Sequence, residues 1–269
     1  MIKLYDDLYA KYLLISILGG LFVMFATLII CGSTIISIIL FFILVLFAAV
    51  HYRKEANKRI NEIHTCFENC DIEKYTDSFE QLFKKNNDKR LDTFIRIGLS
   101  TGYLGMGKYE EVLNVLNNYE FTFKNNERGI SNKIIYLNNL IFAYAELDNY
   151  DKANEKFLEF KELMKNKYVS SESAIAKASE LYFCDKMYLD LRQNPSKDVI
   201  KYAEKFYLDR LEISKTKINE VKIKNNLAFV YRKLNNKKKE EEYLKFVVKN
   251  GGTLYIVKKA KDRLKELGD

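Results

Sequence analysis

The sequence predicts an all-α chain: an apolar helical hairpin followed by a water-facing solenoid of about four to five helix pairs. Three observations carry this. One proline and eleven glycines in 269 residues leave few helix breakers. From Tyr12 to Val50, 39 consecutive residues include no Asp, Glu, Lys, Arg or His. Beyond Lys54 the apolar residues return at three- and four-residue spacing, in helices that recur as pairs.

As a single helix the apolar stretch would be about 58 Å long at 1.5 Å per residue, nearly twice the hydrocarbon thickness of a bilayer. Two helices fit better. The break belongs at Cys31-Gly32-Ser33-Thr34, giving one span near 12–31 and another near 34–50. So short a connection makes the pair antiparallel, and Gly19, Gly20 and Ala26 allow close backbone approach. The second span is flanked by Arg53, Lys54, Lys58 and Arg59 against Glu55 alone. Positive flanks stay cytoplasmic, which places both ends of a two-pass chain inside. The expected organisation is a short cytoplasmic segment over 1–11, a two-helix transmembrane anchor over 12–52, and a helical domain over 53–269. A secretory leader does not fit, because the apolar run continues far past any cleavage site. A lipidated Cys31 does not fit either, since Ile30 is not small and a second apolar span follows. The richness in Lys, Asn and Ile suggests an AT-rich bacterial genome, so the expected membrane is the plasma membrane.

The helical domain repeats. Its first unit reads Cys70-Asp71-Ile72-Glu73-Lys74-Tyr75, then Phe79 and Leu82. The second has Leu99-Ser100, Tyr103, Gly107-Lys108-Tyr109-Glu110-Glu111-Val112, then Leu116 and Tyr119. A third has Leu140-Ile141, Tyr144, Asp148-Asn149-Tyr150-Asp151-Lys152-Ala153, then Phe157 and Phe160. Near the end come Asn226-Leu227-Ala228, Tyr231, Asn235-Asn236-Lys237, then Tyr243-Leu244 and Val247. Tyr75 to Val112 is 37 positions and Val112 to Ala153 is 41. Residues 171–214 read as a further, poorly matching helix pair broken at Gln193-Asn194-Pro195-Ser196, with Ser196 as N-cap. Residues 253–267 form a terminal helix whose apolar face (Leu254, Val257, Leu264, Leu267) covers the last pair.

These units resemble the tetratricopeptide repeat (TPR) over roughly residues 60–250. Small residues (Ser100, Ala153, Ala228) let paired helices approach, aromatics (Tyr103, Phe157, Phe160) fill the space between pairs, and Gly107 permits a left-handed turn. The resemblance implies a scaffold with a concave groove for a protein or peptide partner. Within that groove it points to Asn138, Asn139, Phe142, Asn225, Asn226 and Phe229, at equivalent places on the first helix of two repeats. Asparagine there offers both donor and acceptor to a bound peptide backbone.

Charge and chemistry narrow the function. Lys3 and Lys11 cancel Asp6 and Asp7, so the excess of +8 belongs to residues 51–269. Lysines alternate with glutamates and aspartates there, which reads as a solvated mixed-charge face rather than a nucleic-acid surface. Gly102-Tyr-Leu-Gly-Met-Gly107-Lys108 matches the spacing of a phosphate loop but lacks the following Ser or Thr and follows a helix. His64, Cys66 and Cys70 lack a fourth metal ligand, and the scattered cysteines suit a reducing compartment. No catalytic constellation is found, and neither cofactor nor metal is implied. The expected function is a membrane-anchored cytoplasmic scaffold or adaptor. The alternative is a signalling or defence component whose helical domain senses a ligand and acts through the hairpin.

Overall fold

The computed structural model describes residues 2–31, 34–85, 89–166, 169, 172–193 and 195–268, and within them it contains helices and no strand. Two long helices come first, α1 (Ile2–Cys31) and α2 (Thr34–Glu68). Residues 32 and 33 of the expected break lie outside the described residues, but the helix ends flank it as expected. Helix α1 starts well before Tyr12 and takes in residues 2–11. Helix α2 passes the expected boundary at 52–53 without interruption.

These two helices lie antiparallel, with hydroxyls between them and hydrocarbon outside. Thr27 Oγ1 donates to Ser37 Oγ at 2.8 Å. Gly20 meets the Phe41 ring so closely that an added Cβ would lie 2.6 Å away. Ser16 and Ser37 are buried while Phe22, Ile29 and Phe47 are exposed by 75, 82 and 73 %. Among the described residues one helix, Thr34–Glu68, is long and apolar enough to cross a membrane by length and composition, and Leu14–Ile30 is a shorter apolar stretch.

The remaining helices are α3 (Ile72–Lys85), α4 (Lys89–Gly105), α5 (Tyr109–Asn117), α6 (Glu127–Glu146), α7 (Tyr150–Leu163), α8 (Glu172–Gln193), α9 (Lys197–Ile213), α10 (Lys217–Lys233), α11 (Lys237–Asn250) and α12 (Tyr255–Gly268). Each packs chiefly on its neighbours in sequence, and α6 also touches α4 and α8. Four of the turns share one geometry. Cys70, Gly107, Asp148 and Asn235 all take positive φ, at 65°, 72°, 56° and 55°. In each, the N–H of the left-handed residue donates to the carbonyl three positions back. The next N–H donates to the carbonyl five back, as in Asp71 to Cys66 and Asn236 to Tyr231. That pattern satisfies the orphan carbonyls at a helix end. The following residue then opens the next helix, and Asn149 and Asn236 cap theirs through Oδ1. Helix α9 starts at Ser196, which caps it by accepting from Val199 N.

Small residues sit where helices touch. Ser100, Ala153 and Ala228 are buried, and a Cβ on Gly102 would lie 2.5 Å from Thr76 Oγ1 of α3. The Gly102–Lys108 run therefore serves helix packing and a turn. Phe157 stacks on Tyr182 of the next pair at 5.0 Å.

One core cluster joins the two ends of the helical domain. Phe67, Cys70, Ile72 and Met106 pack with Val221, Leu244, Val247, Leu254 and Val257. The terminal helix α12 thus packs on α11 and shares this core with α3. Thr253 Oγ1 accepts from Ile72 N at 2.7 Å and Glu73 N at 3.1 Å, and Thr253 N donates to Cys70 O at 3.0 Å. Threonine 253 thereby shares the capping of α3 with Asp71, whose Oδ1 accepts from Lys74 N.

Candidate functional site

Five helices converge on one carboxylate. Glu146 is the last residue of α6, and its side chain is only 12 % exposed. From α8, Tyr188 Oη donates to Glu146 Oε1, and Arg192 Nη2 donates to the same oxygen at 2.7 Å. From α12, Lys259 Nζ donates to Oε2, also at 2.7 Å. The Arg192 guanidinium lies 3.8 Å over the Tyr188 ring and 5.4 Å from the Phe229 ring of α10. Lys259 faces the rings of Tyr109 and Tyr255 at 5.9 and 5.3 Å, so α5 completes the group.

Local helix geometry explains the convergence. Tyr188 and Arg192 are one turn apart on α8 and share a face. Phe142 lies one turn before Glu146 on α6, and its ring meets Tyr188 at 4.3 Å. Burial alone would raise the Glu146 pKa, but Arg192, Lys259 and Tyr188 outweigh it and hold the carboxyl down at about 2. Burial, and next the Glu146 charge, push the Tyr109 phenol well above its ordinary range. A carboxylate so fully paired is a fixed anchor at neutral pH, not a proton shuttle.

Further along α8, toward its start, lies a second buried acid. Asp185 is fully buried, and neither carboxylate oxygen has a partner among the described residues. Burial raises its pKa far above the ordinary value. It sits one turn before Tyr188, as Asn138 sits one turn before Phe142 on α6.

The predicted groove residues divide. Phe142 and Phe229 are drawn to the same cluster, through Tyr188 and Arg192 respectively. Asn139 is buried and donates to Ser100 Oγ and Thr101 Oγ1 of α4, both at 2.9 Å. It ties α6 to α4. Asn138 is half-buried beside it, its Nδ2 reaching Asn139 Oδ1 at 3.4 Å. Asn225 and Asn226 are half-buried on α10, one turn before Phe229 and Val230.

Comparison with known proteins adds no relative. The chain matches no family model, no curated protein and no solved structure. The site is therefore argued from its own geometry.

Among the described residues no group of three or more His, Cys, Asp or Glu could hold a metal ion. Burial pushes the Cys70 thiol up and the Cys184 thiol to about 11, which keeps both protonated and poor nucleophiles. Sequence reasoning missed Glu146, Tyr188, Arg192 and Lys259 altogether. Arg192 and Lys259 lie 46 and 113 positions from their partner. A lone acid at a helix end gave no signal; only the shared stripe of Tyr188 and Arg192 on α8 offered one.

Proposed function

We propose that this protein is a non-enzymatic adaptor, built on a TPR-like helical array and anchored by the α1–α2 hairpin in the membrane, that binds a protein or peptide partner on the cytoplasmic side. The observation that carries the array is the turn repeated at Cys70, Gly107, Asp148 and Asn235. Its first three occurrences are 37 and 41 positions apart, and single supersecondary units recurring this way generate scaffolds with extended binding faces. Support for the anchor comes from the inverted burial of α1 and α2. In water, so many exposed Phe, Ile and Leu side chains would aggregate, whereas a bilayer removes that cost.

Two measurements test this reading. Single cysteines at Lys201 and Lys249, in an otherwise cysteine-free variant, should resist a membrane-impermeant thiol reagent in intact cells and react after lysis. Labelling in intact cells would overturn the cytoplasmic placement. Affinity capture from native membranes should return the same partner with the parent and with a variant carrying an unrelated two-span hairpin. Repeated capture of nothing specific would defeat the adaptor.

A second reading has one observation in its favour. Helix α2 runs unbroken from the apolar stretch to the turn at Cys70, where it joins the core shared with α10–α12. A continuous rod of this kind can transmit displacement between hairpin and domain. Loss of activity on hairpin exchange, with insertion and partner capture intact, would favour signalling through the hairpin over a passive tether.

A further inference from the structure

The Glu146 cluster is saturated by the chain's own groups and leaves no open contact for a partner. A cleft of about 870 Å³ opens on the seam where the two ends of the helical domain meet. Met106, Leu254, Val257 and Leu264 give it an apolar floor. Lys258, Lys261 and Lys265 line one side, spaced three and four residues apart and so stacked along one face of α12, and outnumber the two carboxylates of the lining, Glu73 and Asp262. The neighbouring charges of α12 are committed elsewhere: Lys259 to Glu146, and Arg263 to Glu240 and Glu266. Lys258 and Lys261 are exposed and make no ion pair among the described residues, and among these Lys265 reaches Asp262 alone, at 3.5 Å.

We propose that this cleft is the docking site for an acidic amphipathic segment of a partner protein, whose apolar residues cover Met106, Leu254, Val257 and Leu264 while its carboxylates meet Lys258, Lys261 and Lys265. The inference rests on the adaptor reading for the class of partner. The volume lies in the range of about 300–1,000 Å³ typical of ligand-binding clefts. An apolar floor beside a row of like charges is the complement of an acidic amphipathic helix, with steering from the charges and affinity from the floor. A lipid headgroup is the other anionic surface near a membrane, and distance disfavours it. From Val50, the last apolar residue of the hairpin stretch, to Glu68 is about 27 Å along α2. The headgroup layer extends only about 5–8 Å beyond the hydrocarbon on each side. The seam at Cys70 and Thr253 thus stands clear of the lipid surface when α2 runs along the bilayer normal.

The test uses the full-length protein in detergent micelles and fluorescence anisotropy. The probe is a fluorescein-labelled 14-residue peptide with Leu at helical spacing and Glu elsewhere; its counterpart carries Lys in place of Glu. The acidic peptide should bind and the basic one should not. The double variant Lys258→Glu/Lys261→Glu should lose at least about tenfold in affinity. Met106→Glu, which leaves the lysines intact and puts charge on the floor, should also weaken binding. Lys197→Glu/Lys201→Glu, an equal charge change on α9, should stay within about twofold of the parent, with helicity by circular dichroism checking that each variant folds. Equal losses in the α9 and α12 pairs would reduce the effect to general electrostatics and overturn the site. Vesicles of anionic phospholipid that displace the peptide from the parent protein would reassign the cleft to lipid. A native partner captured equally by the parent and by the Lys258/Lys261 variant would defeat the cleft and leave the adaptor standing. Peptide binding at the cleft with no captured partner would do the reverse.

Discussion

Two buried acids of the helical domain have opposite fates. Glu146 closes α6 and is met by Tyr188, Arg192 and Lys259, and its carboxyl is held down at about 2. Asp185 lies on the same face of α8 as Arg192, two turns earlier, and it has no partner among the described residues. Its pKa is driven up by burial alone. Both groups lose water, so desolvation does not distinguish them. The difference is whether cations from distant helices arrive at the same point. One acid is locked by charge, while the other stays neutral at a cost to stability.

Removing one partner from the locked end should have the largest effect. Arg192→Ala leaves the buried carboxylate with Lys259 and Tyr188 alone and strips the stack between Tyr188 and Phe229. A loss of about 3–5 kcal/mol is expected from denaturant unfolding of the full chain in micelles. Stability unchanged within error would show the pairing to be incidental.

Acid should act through the same group. A carboxyl with a depressed folded pKa contributes stability that is complete above its unfolded value near 4.5. That contribution, roughly 3 kcal/mol, fades as pH falls toward about 2. Unfolding curves between these limits should drop more steeply for the parent than for Glu146→Gln, and parallel curves would contradict the assignment.

Asp185 should behave in reverse. Above about 3.8 the unfolded chain releases this proton while the folded protein keeps it. Stability is therefore lost as pH rises from that value toward the raised folded pKa. Asp185→Leu should stabilise the protein by about 1–3 kcal/mol at pH 7, with a gain that shrinks toward pH 4. Destabilisation by this variant would mean the acid has a partner that its surroundings do not reveal.

The smallest effect belongs to the seam. Thr253→Val removes the hydroxyl that accepts from Ile72 and Glu73 but keeps the side-chain shape. A loss of about 1 kcal/mol is expected, read most directly as faster hydrogen exchange at the Ile72 and Glu73 amides. Exchange at Lys74, held by Asp71, should change less.

Much of this molecule was legible from its residues. Gly107 marked a turn because it tolerates positive φ, and Ser196 marked a helix start because its hydroxyl accepts from the first turn. Ser100, Ala153 and Ala228 marked close helix contacts by their size. Asn139 was harder to place, because an asparagine on an inner helix can serve a ligand or a neighbouring helix. Here its amide reaches Ser100 and Thr101, partners 39 and 38 positions away. Cys70, Asp148 and Asn235 adopt the same left-handed turn as Gly107, which composition did not announce.

The sequence by itself determined the all-α class, the apolar stretch near the start, and most helix limits in the domain. Those features follow from breakers, periodicity and capping, which act over a few residues. Only the tertiary structure decided that the last helix closes onto the first pair, that Glu146 is locked while Asp185 is not, and that three lysines of α12 border an apolar cleft. Each depends on groups brought together from separate helices, and no local pattern encodes where two distant helix faces will meet.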